Sequence, residues 1–323
     1  MSTLSKSKLS SYTTNRGVQY KQLNTSYQVF GKKLHIGPVV VVIHALTGNS
    51  DLTSNKKGWW KEIVGKGKLI DTEKFSVISF NIPGNGYDGQ LIDNYKDFTA
   101  KDIAQIFYRT LTELNIDNVF AITGGSLGGG IAWEMACLYP SFAKYIIPIA
   151  SHWKSSDWII GHNSVQKSIL LNSKQPLADA RKMAMLFYRT PLSFSKKFNR
   201  TKVSNSSLFN VESWLNHHGE KLNQRFHIKA YLMMNHLLST IDAVPEGATT
   251  ESTFSKIEST IIQIGINSDL FFVPEENRAT QKMLNKLKVP NKYYEIKSTH
   301  GHDAFLIEHE QITQFLQNTF NKN

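Results

Sequence analysis

Val119-Phe120-Ala121-Ile122-Thr123-Gly124-Gly125-Ser126-Leu127-Gly128-Gly129 passes from an apolar run into a serine bracketed by glycines. The apolar quartet at 119–122 reads as a strand buried on both faces. Ile131, Met135 and Leu138 then recur on one face of a helix, which Pro140 brings to an end. Gly124-Gly125-Ser126-Leu127-Gly128 has the form G-x-S-x-G and lies where the strand turns into the helix. That turn is too tight for bulky neighbours, so glycines flank it. It lifts the Ser126 hydroxyl above the strand end, at a helix N-terminus. The amide of Leu127 then points at charge developing on a bound carbonyl oxygen.

The pattern repeats on either side. Residues 24–34 read as a strand, Val39–Ile43 as a fully buried β-branched strand, and 75–80 as another. A helix is expected over 99–114 and strands over 145–149, 261–264 and 293–296. A helix carrying Met283, Leu284 and Leu287 lies between the last two, and an amphipathic helix covers 306–320. Strands alternating with helices predict an α/β fold with a mostly parallel central sheet. The texture changes over 153–253, which is polar, helical and free of strong strand signals. This stretch is expected to be a helical lid inserted over the carboxyl edge of the sheet. The catalytic domain would then comprise 17–152 and 254–323. Residues 1–16 carry Ser, Thr and Lys without hydrophobic period and read as a loose tail.

Composition narrows the class. The chain has 323 residues, of which 41% are hydrophobic and 20% charged, enough for a large globular core. No run approaches the ~20 apolar residues of a membrane helix, and no apolar leader precedes the first strand. Cytoplasmic localisation without a membrane partner is therefore expected. The single cysteine, Cys137, excludes an internal disulfide and a multi-cysteine metal site. The formal net charge of +11 suits a polyanionic small molecule. The lysines are dispersed, with no basic block or aromatic RNA-binding signature, so no nucleic-acid partner is expected.

A serine needs a base and an orienting acid before it attacks well. Asp269 follows the strand at 261–264, and His302 follows the strand at 293–296. Each lies just past a strand's carboxyl end, where catalytic groups gather in open α/β sheets. The chain order Ser126, Asp269, His302 is that of the α/β-hydrolase fold. His300 is the rival base. His300-x-His302 as a metal pair lacks a companion ligand, so no metal is expected. A second oxyanion donor should come from the loop after an early strand, and the amide of Leu46 in His44-Ala45-Leu46-Thr47-Gly48 is placed for it. His44 itself reads as a packed strand-end histidine.

These motifs together resemble the homoserine O-acetyltransferase family, a branch of the α/β-hydrolase superfamily. The resemblance runs from about residue 36 to 310. It is carried by Ala45-Leu46-Thr47-Gly48, Gly58-Trp59-Trp60, Gly65-x-Gly67-Lys68, Gly124-Gly125-Ser126-Leu127-Gly128-Gly129, Ser268-Asp269 and Gly301-His302-Asp303-Ala304-Phe305-Leu306. Ala180-Arg181, Phe187-Tyr188-Arg189, Val211-Glu212-Ser213 and Gly219-Glu220-Lys221-Leu222 resemble the family's lid. The resemblance implies acetyl transfer from acetyl-CoA to the hydroxyl of L-homoserine in methionine synthesis. It implies an acyl-Ser126 intermediate, no bound cofactor, and a homodimer. It also implies that Arg181 holds the acceptor's carboxylate, Asp303 its ammonium, and that Tyr188 lines the pocket. Relatives with succinyl-CoA or serine as substrates, and a plain esterase on the same scaffold, are the alternatives. The pattern departs from the family at the short Asn81-Ile82-Pro83-Gly84-Asn85-Gly86-Tyr87-Asp88-Gly89 loop, and late in the lid at Thr240-Ile241-Asp242.

Overall fold

The computed structural model describes residues 2–55 and 58–321. Eight strands form the main sheet: β1 (Leu4–Leu9), β2 (Leu23–Gly31), β3 (Val39–Ile43), β4 (Ser76–Asn81), β5 (Val119–Gly125), β6 (Ala143–Ile149), β7 (Thr260–Ile266) and β8 (Asn291–Ile296). Their spatial order is β1-β2-β4-β3-β5-β6-β7-β8. The pairs β1–β2 and β2–β4 are antiparallel, and every other neighbouring pair is parallel.

Successive strand side chains point to opposite faces, so a strand buried on both sides feeds two cores. Val41 and Ile43 of β3 pack into one with Ile103, Phe107 and Trp133. Val40 and Val42 pack into the other with Trp60, Phe75, Phe305 and Phe320. The first core is covered by α1 (Ala100–Glu113) and α2 (Leu127–Leu138). The second is covered in part by the C-terminal helix over 309–320, which contributes Ile312, Leu316 and Phe320. Thr99 and Asp102 close a capping box on α1, which satisfies amides that the first turn leaves free.

The expectation of a loose tail over 1–16 is corrected. Leu4 to Leu9 pair with β2 in the register Leu4↔Gln28 to Leu9↔Leu23. Leu9 and Tyr12 are buried, and the Tyr12 hydroxyl donates to Asp102 Oδ1 at 2.8 Å. An edge strand is held by its backbone ladder and by few side chains. Leu-Ser-Lys-Ser-Lys-Leu therefore shows little hydrophobic period although it is ordered.

Between β6 and β7 the chain runs through α3 (Asp157–Asn172), α4 (Pro176–Tyr188), α5 (Pro191–Phe198), α6 (Asn210–Asn223), α7 (Ile228–Ser239) and α8 (Thr250–Phe254). The excursion closes on itself at its base. Lys154 and Asp242 form an antiparallel bridge and a 3.2 Å ion pair, and the Ala243 amide donates to the Trp153 carbonyl at 3.0 Å. The chain returns through α9 (Pro274–Lys286), β8 and α10 (His309–Phe320). No helix among the described residues is long and apolar enough to cross a membrane.

Candidate active site

The site grows from the end of β5. The Ser126 amide donates to the Ile149 carbonyl at 2.9 Å, which ties the turn to β6. Ser126 has φ 56° and ψ −122°, outside the region L residues prefer, and α2 begins one residue later. Strain of this kind persists only where the surroundings over-determine it. Those surroundings are the flanking glycines: a Cβ on Gly124 would lie 2.7 Å from the Ile43 carbonyl oxygen, and one on Gly128 would collide with the same oxygen. The reading of this segment as a tight strand–turn–helix is met, and the strain at Ser126 is what the structure adds.

Ser126, His302 and Asp269 come together although 176 and 33 residues separate the bonded pairs. His302 Nε2 lies 2.9 Å from Ser126 Oγ, and His302 Nδ1 lies 2.7 Å from Asp269 Oδ2. Asp269 is held from behind, because its Oδ1 accepts the Phe271 and Phe272 amides at 2.7 and 2.9 Å. All three side chains are buried. A carboxylate accepts only, so Nδ1 carries the proton and Nε2 is left to accept from the serine hydroxyl. Tyr188, Phe271, Phe272 and Phe305 wall the imidazole, with ring centroids 5.2–5.7 Å from it. Such an array can take a proton from a serine hydroxyl and return it to a leaving group.

His300 is not part of this line. Its Nδ1 accepts from the Arg189 guanidinium at 2.8 Å, which leaves its proton on Nε2. The two histidines therefore serve separate partners and do not converge.

Leu46 and Leu127 are both buried in the same core as Ile43. Ile43 pairs with Gly124 across the sheet, so the loop after β3 and the turn after β5 are neighbours at one edge. Among the described residues neither the Leu46 nor the Leu127 amide donates to a protein acceptor. His44 shapes the first loop. Its Nδ1 donates to the Ala45 carbonyl at 2.8 Å, and its Nε2 accepts from the Ile82 amide at 3.0 Å and Asn85 Nδ2 at 3.1 Å. Burial pulls its pKa down to about 4, so the ring is neutral. The short 81–89 loop is thus bolted to the loop after β3, and His44 is a structural histidine, as its position at a strand end suggests.

Arg181, Tyr188 and Asp303 stand in one charged neighbourhood. Tyr188 is buried, its ring 5.3 Å from that of His302. The Arg181 guanidinium lies over the Tyr188 ring at 5.8 Å. Burial raises the Asp303 carboxyl above the ordinary carboxylate range, against the nearby charges of Arg181, His302 and Arg189. Among the described residues no carboxylate lies within ion-pair distance of Arg181. Arg189 does reach Asp303, at 3.9 Å. Arg189 carries no role in the sequence reading, because nothing in Phe187-Tyr188-Arg189 separates it from an ordinary helix-end arginine.

The chain matches the family model described as alpha/beta hydrolase fold over residues 38–308. It is 31% identical to a homoserine O-acetyltransferase of Cyclobacterium marinum over 308 residues, covering 88% of this chain and 85% of that protein. Two solved structures share the fold at 18% identity. A homoserine O-acetyltransferase from Bacillus anthracis has a TM-score of 0.89 over 100% of this chain and 98% of its own. Esterase E22 has a TM-score of 0.87 over 99% of this chain and 100% of its own. The chain belongs to the homoserine O-acetyltransferase family of α/β-hydrolase-fold enzymes.

Proposed function

We infer that the protein transfers an acetyl group from acetyl-CoA to the hydroxyl of L-homoserine through an acyl-Ser126 intermediate. The observation that carries this reading is an acid and a cation, Asp303 and Arg181, that feel each other's charge without an ion-pair contact, beside a bonded Ser126–His302–Asp269 line. An ester hydrolase needs only the line. An α-amino acid needs a cation for its carboxylate and an anion for its ammonium, and a guanidinium fork suits the first task.

His302 Nε2 takes the Ser126 proton as Oγ attacks the thioester carbonyl. The oxyanion is held by the Leu46 and Leu127 amides. The intermediate collapses, the C–S bond breaks, and His302 returns the proton to the leaving thiolate. Homoserine then enters, with its carboxylate on Arg181 and its ammonium at Asp303. His302 takes the hydroxyl proton, the alkoxide attacks acyl-Ser126, and the O-acetyl product leaves with Oγ reprotonated. Asp269 holds the imidazole in its tautomer and balances the imidazolium formed in each half. Tyr188 closes the wall beside His302. Water competes for the acyl-enzyme, and the aromatic wall with the helical excursion above it supports its exclusion.

The same reading takes the enzyme as a cytoplasmic homodimer without a bound cofactor. Exposed Trp158, Ile160, Val165 and Leu171 on α3 support self-association. Intact mass tests the chemistry. Acetyl-CoA alone should add one acetyl group, on Ser126, and homoserine should discharge it faster than water or serine. Acylation by a simple ester but not by acetyl-CoA would overturn the donor and favour an esterase. Acylation by succinyl-CoA with none by acetyl-CoA would replace the acyl group.

A further inference from the structure

Arg225 lies between α6 and α7, with no acidic partner among the described residues. Its Nη1 donates to the main-chain carbonyl of Thr47 at 2.8 Å, and its Nη2 approaches Thr47 Oγ1 at 3.4 Å. These bonds span 178 residues and join the helical excursion to the loop after β3. Solvent reaches the side chain, yet surrounding protein and the charge of Arg181 pull its pKa to about 10. It therefore stays protonated in a place that does not favour a cation.

The loop it grips is pinned at two carbonyls. The Ala45 carbonyl accepts from the Gly48 amide at 2.8 Å and from His44 Nδ1 at 2.8 Å. The Thr47 carbonyl is left to Arg225. The Leu46 amide shares its peptide plane with the Ala45 carbonyl and has no protein acceptor among the described residues, and the Thr47 carbonyl lies on the far side of the same turn. The bonds at Ala45 set the tilt of the plane that carries the Leu46 amide, and the bond at Thr47 holds the other side of the turn so that this plane does not shift as a whole.

We propose that Arg225 is a positioning residue: its guanidinium grips Thr47 and so aims the Leu46 amide at the oxyanion. It acts through the turn, and its charge adds favourable potential as the oxyanion forms. The proposal deepens the reading of Leu46 as an oxyanion donor and rests on it. It differs from a role in substrate binding, because the hydrogen bonds Arg225 makes go to the turn at Thr47.

The test compares wild type with Arg225→Met, Arg225→Lys and Thr47→Val. Hydrolysis of p-nitrophenyl acetate and acetyl transfer from acetyl-CoA to homoserine are both followed, with melting temperature alongside. The oxyanion serves both reactions, so Arg225→Met should lower both kcat values by about 10- to 100-fold, as misaimed donors do. The KM for homoserine should move less than about threefold, since no contact to the acceptor is removed. Arg225→Lys, which can still donate to the Thr47 carbonyl, should recover part of the rate. Thr47→Val, which removes only the longer contact, should cost little. A rise in homoserine KM with unchanged ester hydrolysis would overturn the proposal and make Arg225 an acceptor-binding group. Unchanged rates in both reactions would also overturn it. If Arg225→Met does not fold, Arg225→Lys decides, because full or absent activity there contradicts a graded loss. A wild type that hydrolyses the ester but never transfers to homoserine would overturn the proposed function, and the Arg225 test would still be read on hydrolysis.

Discussion

The Arg189 guanidinium stands 3.9 Å from the Asp303 carboxylate, next in sequence to His302. At that distance the pair is an ion pair without a close hydrogen bond. Arg189 spends its shorter bonds elsewhere, on Ser193 Oγ at 2.9 Å and His300 Nδ1 at 2.8 Å. Asp303 thus feels Arg189 as a charge and not through a close hydrogen bond. Arg181 makes no ion pair within 4 Å among the described residues, although its charge also acts on Asp303. In the proposed function the two residues take the two ends of the amino-acid acceptor.

Arg181→Ala should therefore raise the homoserine KM or abolish transfer, and leave p-nitrophenyl acetate hydrolysis within about threefold of wild type. A charged hydrogen bond in a half-buried site is worth about 2 kcal/mol, or roughly 30-fold in kcat/KM. Steady-state kinetics with both substrates checks the split. Equal losses in both reactions would place Arg181 in the shared chemistry.

Asp303 gives the acceptor step a pH signature. Burial raises its pKa, so it takes up a proton at higher pH than an exposed carboxylate does. The neutral form cannot pair with an ammonium. As pH falls through that raised value, kcat/KM for homoserine should drop while acylation by acetyl-CoA, followed by intact mass, falls less. Asp303→Asn should show a high homoserine KM without this acid limb.

Asp269→Asn keeps the shape of the array and reverses the preferred His302 tautomer. An amide nitrogen facing Nδ1 cannot accept its proton, and one facing Phe271 and Phe272 cannot accept their amides. The rate of Ser126 acylation should fall by about 10⁴-fold. Rapid-quench mass spectrometry of the acyl-enzyme measures it.

The strain at Ser126 is measurable as stability. With φ at 56°, a residue without Cβ sits there at lower cost. Ser126→Gly should be more stable than Ser126→Ala by about 1 kcal/mol, and neither should gain an acetyl group. Urea denaturation of the two variants decides this.

His44 contributes an acid-labile term. Its folded pKa of about 4 lies below the usual 6.5, so the unfolded chain binds the proton first as pH falls. Stability from this group is full above about pH 6.5 and is lost between there and about pH 4, by about 3 kcal/mol. His44→Gln should be less stable at pH 8 and lose less stability on acidification than wild type. Denaturant melts at pH 8, 6 and 4.5 compare the slopes.

Much of this molecule is local in origin and therefore legible in the chain. The β-branched run at 39–43, the strand–turn–helix at 119–138 and the return strands need only short-range pattern and turn chemistry. Ser126, Asp269 and His302 each sit just past a strand end, so a parallel sheet brings them to one edge. The N-terminal strand escaped because an edge strand is held by backbone bonds, which leave little mark on side-chain periodicity.

What the tertiary structure alone decided are relations between residues far apart in the chain. The sequence names His302 as the base and leaves His300 as a rival two residues away. Only packing turns one toward Arg189 and the other toward Ser126. His44 looks like any strand-end histidine until the 81–89 loop folds onto its Nε2. Arg189 and Arg225 carry no local signature, because their partners, Asp303 and Thr47, lie 114 and 178 residues away. A side chain's chemistry is written in its residue type, but its direction is set by the fold, and hydrogen bonding depends on direction.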